Sequence, residues 1–178
     1  NSDLRDELTF VDSFASENPK NYQIWNHRRV IVEALGDASH ELAFTQIVFQ
    51  VDAKNYHAWA HRQWALRRFS LDWAAELAYT AELITTDVRN NSAWNQRWFV
   101  VHNCPEAQSE GVSVQTYEAE CAFAWSRLQS VRKNESAWNY LRGLAAQCAA
   151  LRPRVLSICQ EVAADARTCA SSSSSSAS

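Results

Sequence analysis

Histidine, cysteine and the carboxylates are the residues of this 178-residue chain that could ligate a metal, move a proton or attack a substrate. Their spacing argues against a self-contained version of any of these. His27, His57, His61 and His102 fall in or just after tryptophan-bearing segments, and no two of them stand with a carboxylate or cysteine at a metal-ligand spacing. No HExxH pair, nucleophile elbow or phosphate-cradling glycine loop occurs. No residue of the chain is therefore expected to bind metal. Five cysteines, an odd number without a CxxC pair, suit a reducing compartment and a cytoplasmic setting better than a disulfide framework. What does recur is a cation. Lys20, Lys54, Arg89 and Lys133 each precede an asparagine, in KNYQIW, KNYHAW, RNNSAW and KNESAW. Such a charge can face an anionic ligand or be a solvated turn residue, and its presence in all four copies favours the second for any one of them by pattern alone.

The four segments are an internal repeat. The asparagines Asn21, Asn55, Asn90 and Asn134 lie 34, 35 and 44 residues apart, and a period near 34 belongs to stacked helical hairpins. Fourteen residues before each stands a glutamate: Glu7, Glu41, Glu76 and Glu120. Four residues after comes Trp25, Trp59, Trp94 or Trp138, which the pattern reads as core. Seven after comes Arg28, Arg62 or Arg97, but Leu141 in the fourth copy, with Arg142 one place later. The arginines are expected to reach a carboxylate of a neighbouring helix, with Glu41 and Glu76 as candidates. His57 and His61 read as structural.

These residues must be held by helices. Leu42, Phe44, Ile47, Val48 and Val51 recur at mostly three- and four-residue steps, as do Trp73, Leu77, Leu83, Ile84 and Val88. The polar DAKN and DVRN clusters stop each stretch, and a second helix then carries the tryptophan and arginine on one face. Turns are expected near residues 18–21, 52–55, 87–90 and 131–134. The fold class is all-α, a solenoid of helical hairpins. CPEAQSEGVS, with Pro105 and Gly111, reads as a loop inserted between the third and fourth units. Leu4, Leu8, Val11 and Phe14 form a first helix. The repeat domain spans residues 1–150, and residues 151–178 form a C-terminal segment whose serine run is expected to be disordered. Both ends look cut within the pattern, so the chain reads as part of a longer solenoid. A net charge of −3 disfavours a general nucleic-acid or anionic-membrane surface, and no apolar run is long enough for a membrane span.

The blocks NYQIWNHRRV (from Asn21), DAKNYHAWAHRQW (from Asp52), DVRNNSAWNQRWFV (from Asp87) and NESAWNYLRG (from Asn134) closely resemble the alpha subunit of protein farnesyltransferase, which is shared with type I protein geranylgeranyltransferase. The resemblance runs from about Leu4 to Gln147. It implies a right-handed, tetratricopeptide-like crescent wrapped around a beta subunit. That beta subunit would hold the zinc, with magnesium serving farnesyl transfer. The implied reaction moves farnesyl or geranylgeranyl from its diphosphate to a cysteine near the C-terminus of a C-a-a-X protein.

By the same resemblance Lys54 and Tyr56 match a lysine and a tyrosine that contact the departing diphosphate as catalytic residues. Tyr22 resembles a tyrosine that packs near the peptide's last residue, and Asn90 a further residue bordering the substrate site. Two other readings carry the same repeat: the alpha subunit of Rab geranylgeranyltransferase, and a non-enzymatic helical scaffold. The later repeats and the N-terminal polar extension of the resembled family are missing here.

Overall fold

In the computed structural model, which describes residues 2–18 and 20–175, each motif asparagine opens a helix. The Oδ1 atoms of Asn21, Asn55, Asn90 and Asn134 accept hydrogen bonds from the backbone N–H groups of Gln23, Ala58, Ser92 and Ser136 at 3.0, 3.0, 3.1 and 3.1 Å. An end otherwise short of acceptors is thereby closed, at a gain of about 1 kcal/mol per cap. The helices so begun are α2 (Tyr22–Leu35), α4 (Tyr56–Phe69), α6 (Asn91–Asn103) and α9 (Glu135–Gln147). Their partners are α1 (Ser2–Glu17), α3 (Glu41–Val51), α5 (Trp73–Thr86) and α8 (Val114–Ser130). No strand occurs among the described residues.

The turns fall where the polar clusters place them, although Pro19, within the first, lies outside the described residues. Asp52 and Asp87 accept from the N–H of Lys54 and Arg89, two residues on, at 3.1 and 2.9 Å. The indole N–H groups of Trp59, Trp94 and Trp138 donate back to Ala53, Val88 and Arg132 at 3.0, 2.9 and 2.8 Å. Each of these tryptophans thus fixes the turn that precedes its helix. The rings of Trp25, Trp59 and Trp94 are buried as the pattern reads, whereas Trp138 is only partly covered.

Helices pair as α1/α2, α3/α4, α5/α6 and α8/α9, and the second helices of successive hairpins also pack directly on one another. That closer-packed layer, α2, α4, α6 and α9, is the inner face of the solenoid. Two sequence expectations change. The segment after Cys104 is a short helix, α7 (Pro105–Glu110), because proline at a first helical position lacks only an N–H that would have no partner there, and Gly111 at φ 79° ends it. The C-terminal segment also stays helical: a 3-10 turn (Ala149–Leu151) leads into α10 (Arg152–Ser175), which buries Leu151 and Ile158 against the fourth hairpin. The serine run is carried in helix to Ser175, since adding a residue to an existing helix costs far less than starting one. Residues 176–178 lie outside the described residues.

What joins one hairpin to the next is a buried ion pair. The guanidinium of Arg28 donates to both oxygens of Glu41 at 2.7 and 2.8 Å, Arg62 to Glu76 at 2.8 and 2.6 Å, and Arg97 to Glu120 at 2.7 and 2.8 Å. Each arginine lies on the second helix of one unit and each glutamate on the first helix of the next. Each guanidinium also lies over an aromatic ring of that next unit: Phe44, Tyr79 and Phe123, at 3.7, 4.5 and 3.8 Å. Every glutamate takes a further donor from its own hairpin, twenty residues on. The donors are His27 for Glu7 at 2.8 Å, His61 for Glu41 at 2.5 Å, Gln96 for Glu76 at 2.7 Å and Tyr140 for Glu120 at 2.7 Å.

Desolvating two charges offsets much of their attraction, but leaving one without its partner is costly. Arg62 and Glu76 are each only 1% exposed. In urea unfolding, Arg62→Ala should therefore cost about 3–5 kcal/mol. The double replacement Arg62→Leu with Glu76→Leu should cost less than that single change, because it leaves no buried charge behind. A double variant weaker than the single would show that the pair itself, rather than the orphaned carboxylate, dominates.

His61 gives the network a pH dependence. Burial depresses its pKa below 6.5, with Arg28 and Arg29 acting the same way and Glu41 opposing. Its Nδ1 is buried without a partner among the described residues, so protonation would create an N–H with no acceptor there. Burial pushes the Glu41 carboxyl up, but hydrogen bonds from His61 and Arg28 outweigh it and hold the pKa below the ordinary 4.5. A histidine with a depressed pKa binds fewer protons when folded, so its contribution is lost as pH falls below about 6.5. The depressed carboxylate loses its share at lower pH still. Unfolding free energy should hence decline between about pH 7 and 5, and His61→Gln, which copies Gln96, should flatten that interval while sparing the fall below it. Equal slopes for both proteins between those limits would exclude His61 as the origin.

Candidate functional site

Lys54 stands at the third position of the turn between α3 and α4, and Tyr56 is the first residue of α4. The turn is held from both sides. The Asp52 carboxylate accepts from Lys54 N–H, Asn55 N–H donates to the Asp52 carbonyl at 3.1 Å, and the Trp59 indole reaches Ala53. The backbone is thereby fixed while both side chains project outward. Lys54 is exposed, its ammonium has no ion-pair partner among the described residues, and Tyr56 is 77% exposed.

Two open cavities share this pair. One, of about 270 Å³, lies on the inner layer between α4 and α6 and is lined by Lys54, Tyr56, Trp59, Ala60, Gln63, Ser92, Asn95 and Gln96. Gln63 and Gln96 are joined across it, amide to carbonyl, at 3.0 Å. The other, of about 320 Å³, lies toward the first unit and is lined by Lys20, Asp52, Lys54, Asn55, Tyr56 and His57. Lys20 and Lys54 therefore border one space, which the repeat pattern alone does not reveal. An ammonium, a phenol and carboxamides around a concave surface are donors suited to an anion with a polar, extended partner.

Of the four residues singled out from the sequence, the structure brings Lys54 and Tyr56 together. Tyr22, at the head of α2, is 60% exposed but lines neither cavity. Asn90 is 4% exposed, and its Oδ1 is engaged by the N–H groups of Ser92 and Ala93 as the cap of α6. The neighbouring Asn91, Ser92 and Asn95 face the inner grooves instead. A third groove, of about 250 Å³ between α6 and α9, is lined by Asn91, Trp94, Asn95, Trp98, Ser136, Asn139, Tyr140 and Gly143. Glycine is required at 143 because a Cβ there would stand 2.8 Å from the Trp98 ring. Asn95 and Asn139 escape the motif-based reading, yet a signal for them exists: asparagine directly follows the motif tryptophan in three of the four copies, as Asn26, Asn95 and Asn139. Among the described residues no three of His, Cys, Asp and Glu cluster closely enough to hold a metal, and no helix is long and apolar enough to cross a membrane.

Comparison with known proteins agrees with the helical-hairpin fold. The family described as "Protein prenyltransferase alpha subunit repeat" matches residues 4–35, 38–69 and 73–104, the first three hairpins and more than half of the chain. Among solved structures, the chain is similar to Candida albicans protein geranylgeranyltransferase-I complexed with GGPP. The two share 32% sequence identity at a TM-score of 0.72, over 80% of this chain and 49% of that one. The chain thus spans about half the length of the solved relative. No curated protein sequence matches. With three family repeats, each occupying one hairpin of an all-helical solenoid, the chain belongs to the family of protein prenyltransferase alpha subunits.

Proposed function

We propose that this chain acts as the alpha subunit of a heterodimeric C-a-a-X protein prenyltransferase, of the farnesyltransferase or type I geranylgeranyltransferase kind. The observation that carries the reading lies within the repeat motif. Its asparagine, tryptophan and arginine are all engaged inside the fold, whereas the side chains of Lys54 and Tyr56, on a turn at the rim of a groove, make no hydrogen bond or ion pair among the described residues. A side chain fixed at its base and open at its tip fits a ligand contact better than a packing role.

In the proposed reaction a cysteine thiolate attacks carbon 1 of the isoprenoid diphosphate, the carbon–oxygen bond breaks, and negative charge gathers on the departing diphosphate. Lys54 supplies an ammonium and Tyr56 a hydroxyl aimed at that charge, and such donors act most strongly where charge develops. Tyr22 borders the end of the acceptor peptide. Asn90 contributes indirectly, by fixing the start of α6 and with it Ser92 and Asn95. Zinc belongs to the beta subunit in this reading, where it would lower the pKa of the acceptor thiol, and magnesium would accompany the diphosphate in farnesyl transfer. The GGPP of the solved relative supports an isoprenoid diphosphate as the donor class.

The chain alone should show no prenyl transfer, with activity appearing on co-expression with a beta subunit. Transfer by the purified chain without that partner would overturn the assignment. Within an active heterodimer, Lys54→Ala should slow the single-turnover rate by about ten- to a thousandfold, the range for loss of one transition-state donor. Peptide affinity and melting temperature should change little. Lys133→Ala, at the same repeat position but bordering neither cavity that Lys54 lines, is the control. Equal effects at the two positions would reduce Lys54 to repeat consensus.

A further inference from the structure

The buried glutamate of the third unit dictates which end of an amide faces the groove beside Lys54. Glu76, paired with Arg62, is a carboxylate and only accepts, so Gln96 must turn its Nε2 toward it, at 2.7 Å. Its Oε1 is left to accept from Nε2 of Gln63 at 3.0 Å. Gln96 is 1% exposed and cannot exchange that bond for one to water, so the amide of Gln63 is set in turn. Gln63 Oε1 makes no hydrogen bond among the described residues, and Gln63 lines the cavity between α4 and α6 together with Lys54 and Tyr56. The repeat does not call for this acceptor. Its place, eight residues after the motif asparagine, holds Arg29, Trp98 and Arg142 in the other units, whose side chains only donate.

We propose that Gln63 is a binding residue for the acceptor polypeptide, its carbonyl taking a main-chain N–H of the segment that precedes the C-a-a-X cysteine; this rests on the prenyltransferase reading given above. Of the two substrates in that reaction, the isoprenoid chain has no hydrogen-bonding group and the diphosphate oxygens accept, so only the polypeptide brings a donor. Direction follows from the fold. Tyr22, assigned to the end of the peptide, lies on α2, on one side of Lys54 and Tyr56, so the chain ahead of the cysteine leaves on the other side, toward α6. Gln63 stands seven residues along α4 from Tyr56, about 10 Å. An extended chain covers that distance in about three residues. The contact therefore falls outside the four residues that define the acceptor, and a fixed carbonyl with the uncharged Ser92 and Asn95 beside it reads a main chain without reading side chains.

The test uses the heterodimer of the full chain with its beta subunit, and an acceptor peptide that carries several residues ahead of its C-a-a-X box and is N-methylated at one of them at a time. Methylation at a single position, about three residues before the cysteine, should raise KM about three- to tenfold, the effect of one hydrogen bond, and leave kcat unchanged. Its two neighbours should respond little, because successive N–H groups of an extended chain point to opposite sides. In Gln63→Met the sensitive position should lose its penalty, with the melting temperature of the heterodimer as the check on folding. A uniform response along the series, or the same penalty with and without Gln63, would overturn the contact. The series on the unaltered heterodimer decides this even where the variant does not assemble, since a uniform response there is enough. Weaker association of Gln63→Met with the beta subunit alongside an unchanged methylation profile would give the donor to that subunit and overturn the proposal as well. Transfer to the unmethylated peptide stands apart from these outcomes and reports on the prenyltransferase reading alone.

Discussion

A carboxylate buried between two hairpins controls the architecture. Glu41, Glu76 and Glu120 each sit where water cannot reach them well, and each needs donors from two sides. One side is local, since the donor twenty residues later belongs to the same hairpin. The other comes only from the preceding hairpin, so no unit satisfies its own core. Stacking is therefore a condition of burying the glutamate at all, and the angle between units is set by a two-oxygen contact with little freedom. The apolar clusters supply most of the driving force, but they are non-directional. The ion pairs give the stack its register.

That division of labour explains why the functional residues lie where they do. The asparagine cap, the tryptophan that bonds back to the turn and the arginine that reaches the next hairpin leave the first turn of each second helix rigid and its outward side chains free. Lys54 and Tyr56 occupy such a place on the inner layer. Any of the four units could present a cation there. The first two add a tyrosine to the lysine, and the second differs from the first in that its tyrosine, with its lysine, opens onto cavities on both sides, one of them shared with Lys20.

Most of the fold is legible in the residues because its causes repeat. Four copies of one spacing locate the turns, the tryptophan cores and two of the arginine partners, Glu41 and Glu76. Glu120 holds the equivalent place for Arg97, but the longer interval before the fourth motif separates them by 23 residues rather than 13 or 14. The second donors hide for a different reason: His27, His61, Gln96 and Tyr140 share a hydrogen-bonding role while differing in type, so no identity pattern marks them. Asn90 shows the limit of position as a guide, since a helix cap and a site-bordering residue occupy one place in the repeat and the structure shows the cap. α7 and α10 carry no repeat signal, and absence of the repeat is not absence of helix.

The order of partners along the chain also bears on synthesis. Each arginine precedes its glutamate by 13 to 23 residues, so on a ribosome the cationic half of every link emerges first and waits, while the carboxylate arrives with the next helix. After each of the first three hairpins the growing end of this solenoid therefore presents a guanidinium beside its apolar seam. Growth is vectorial for the same reason: a finished hairpin recruits the one that follows it, and the fourth unit differs in placing the buried Leu141 where the arginine would be, with Ile158 of α10 packed into the same cluster.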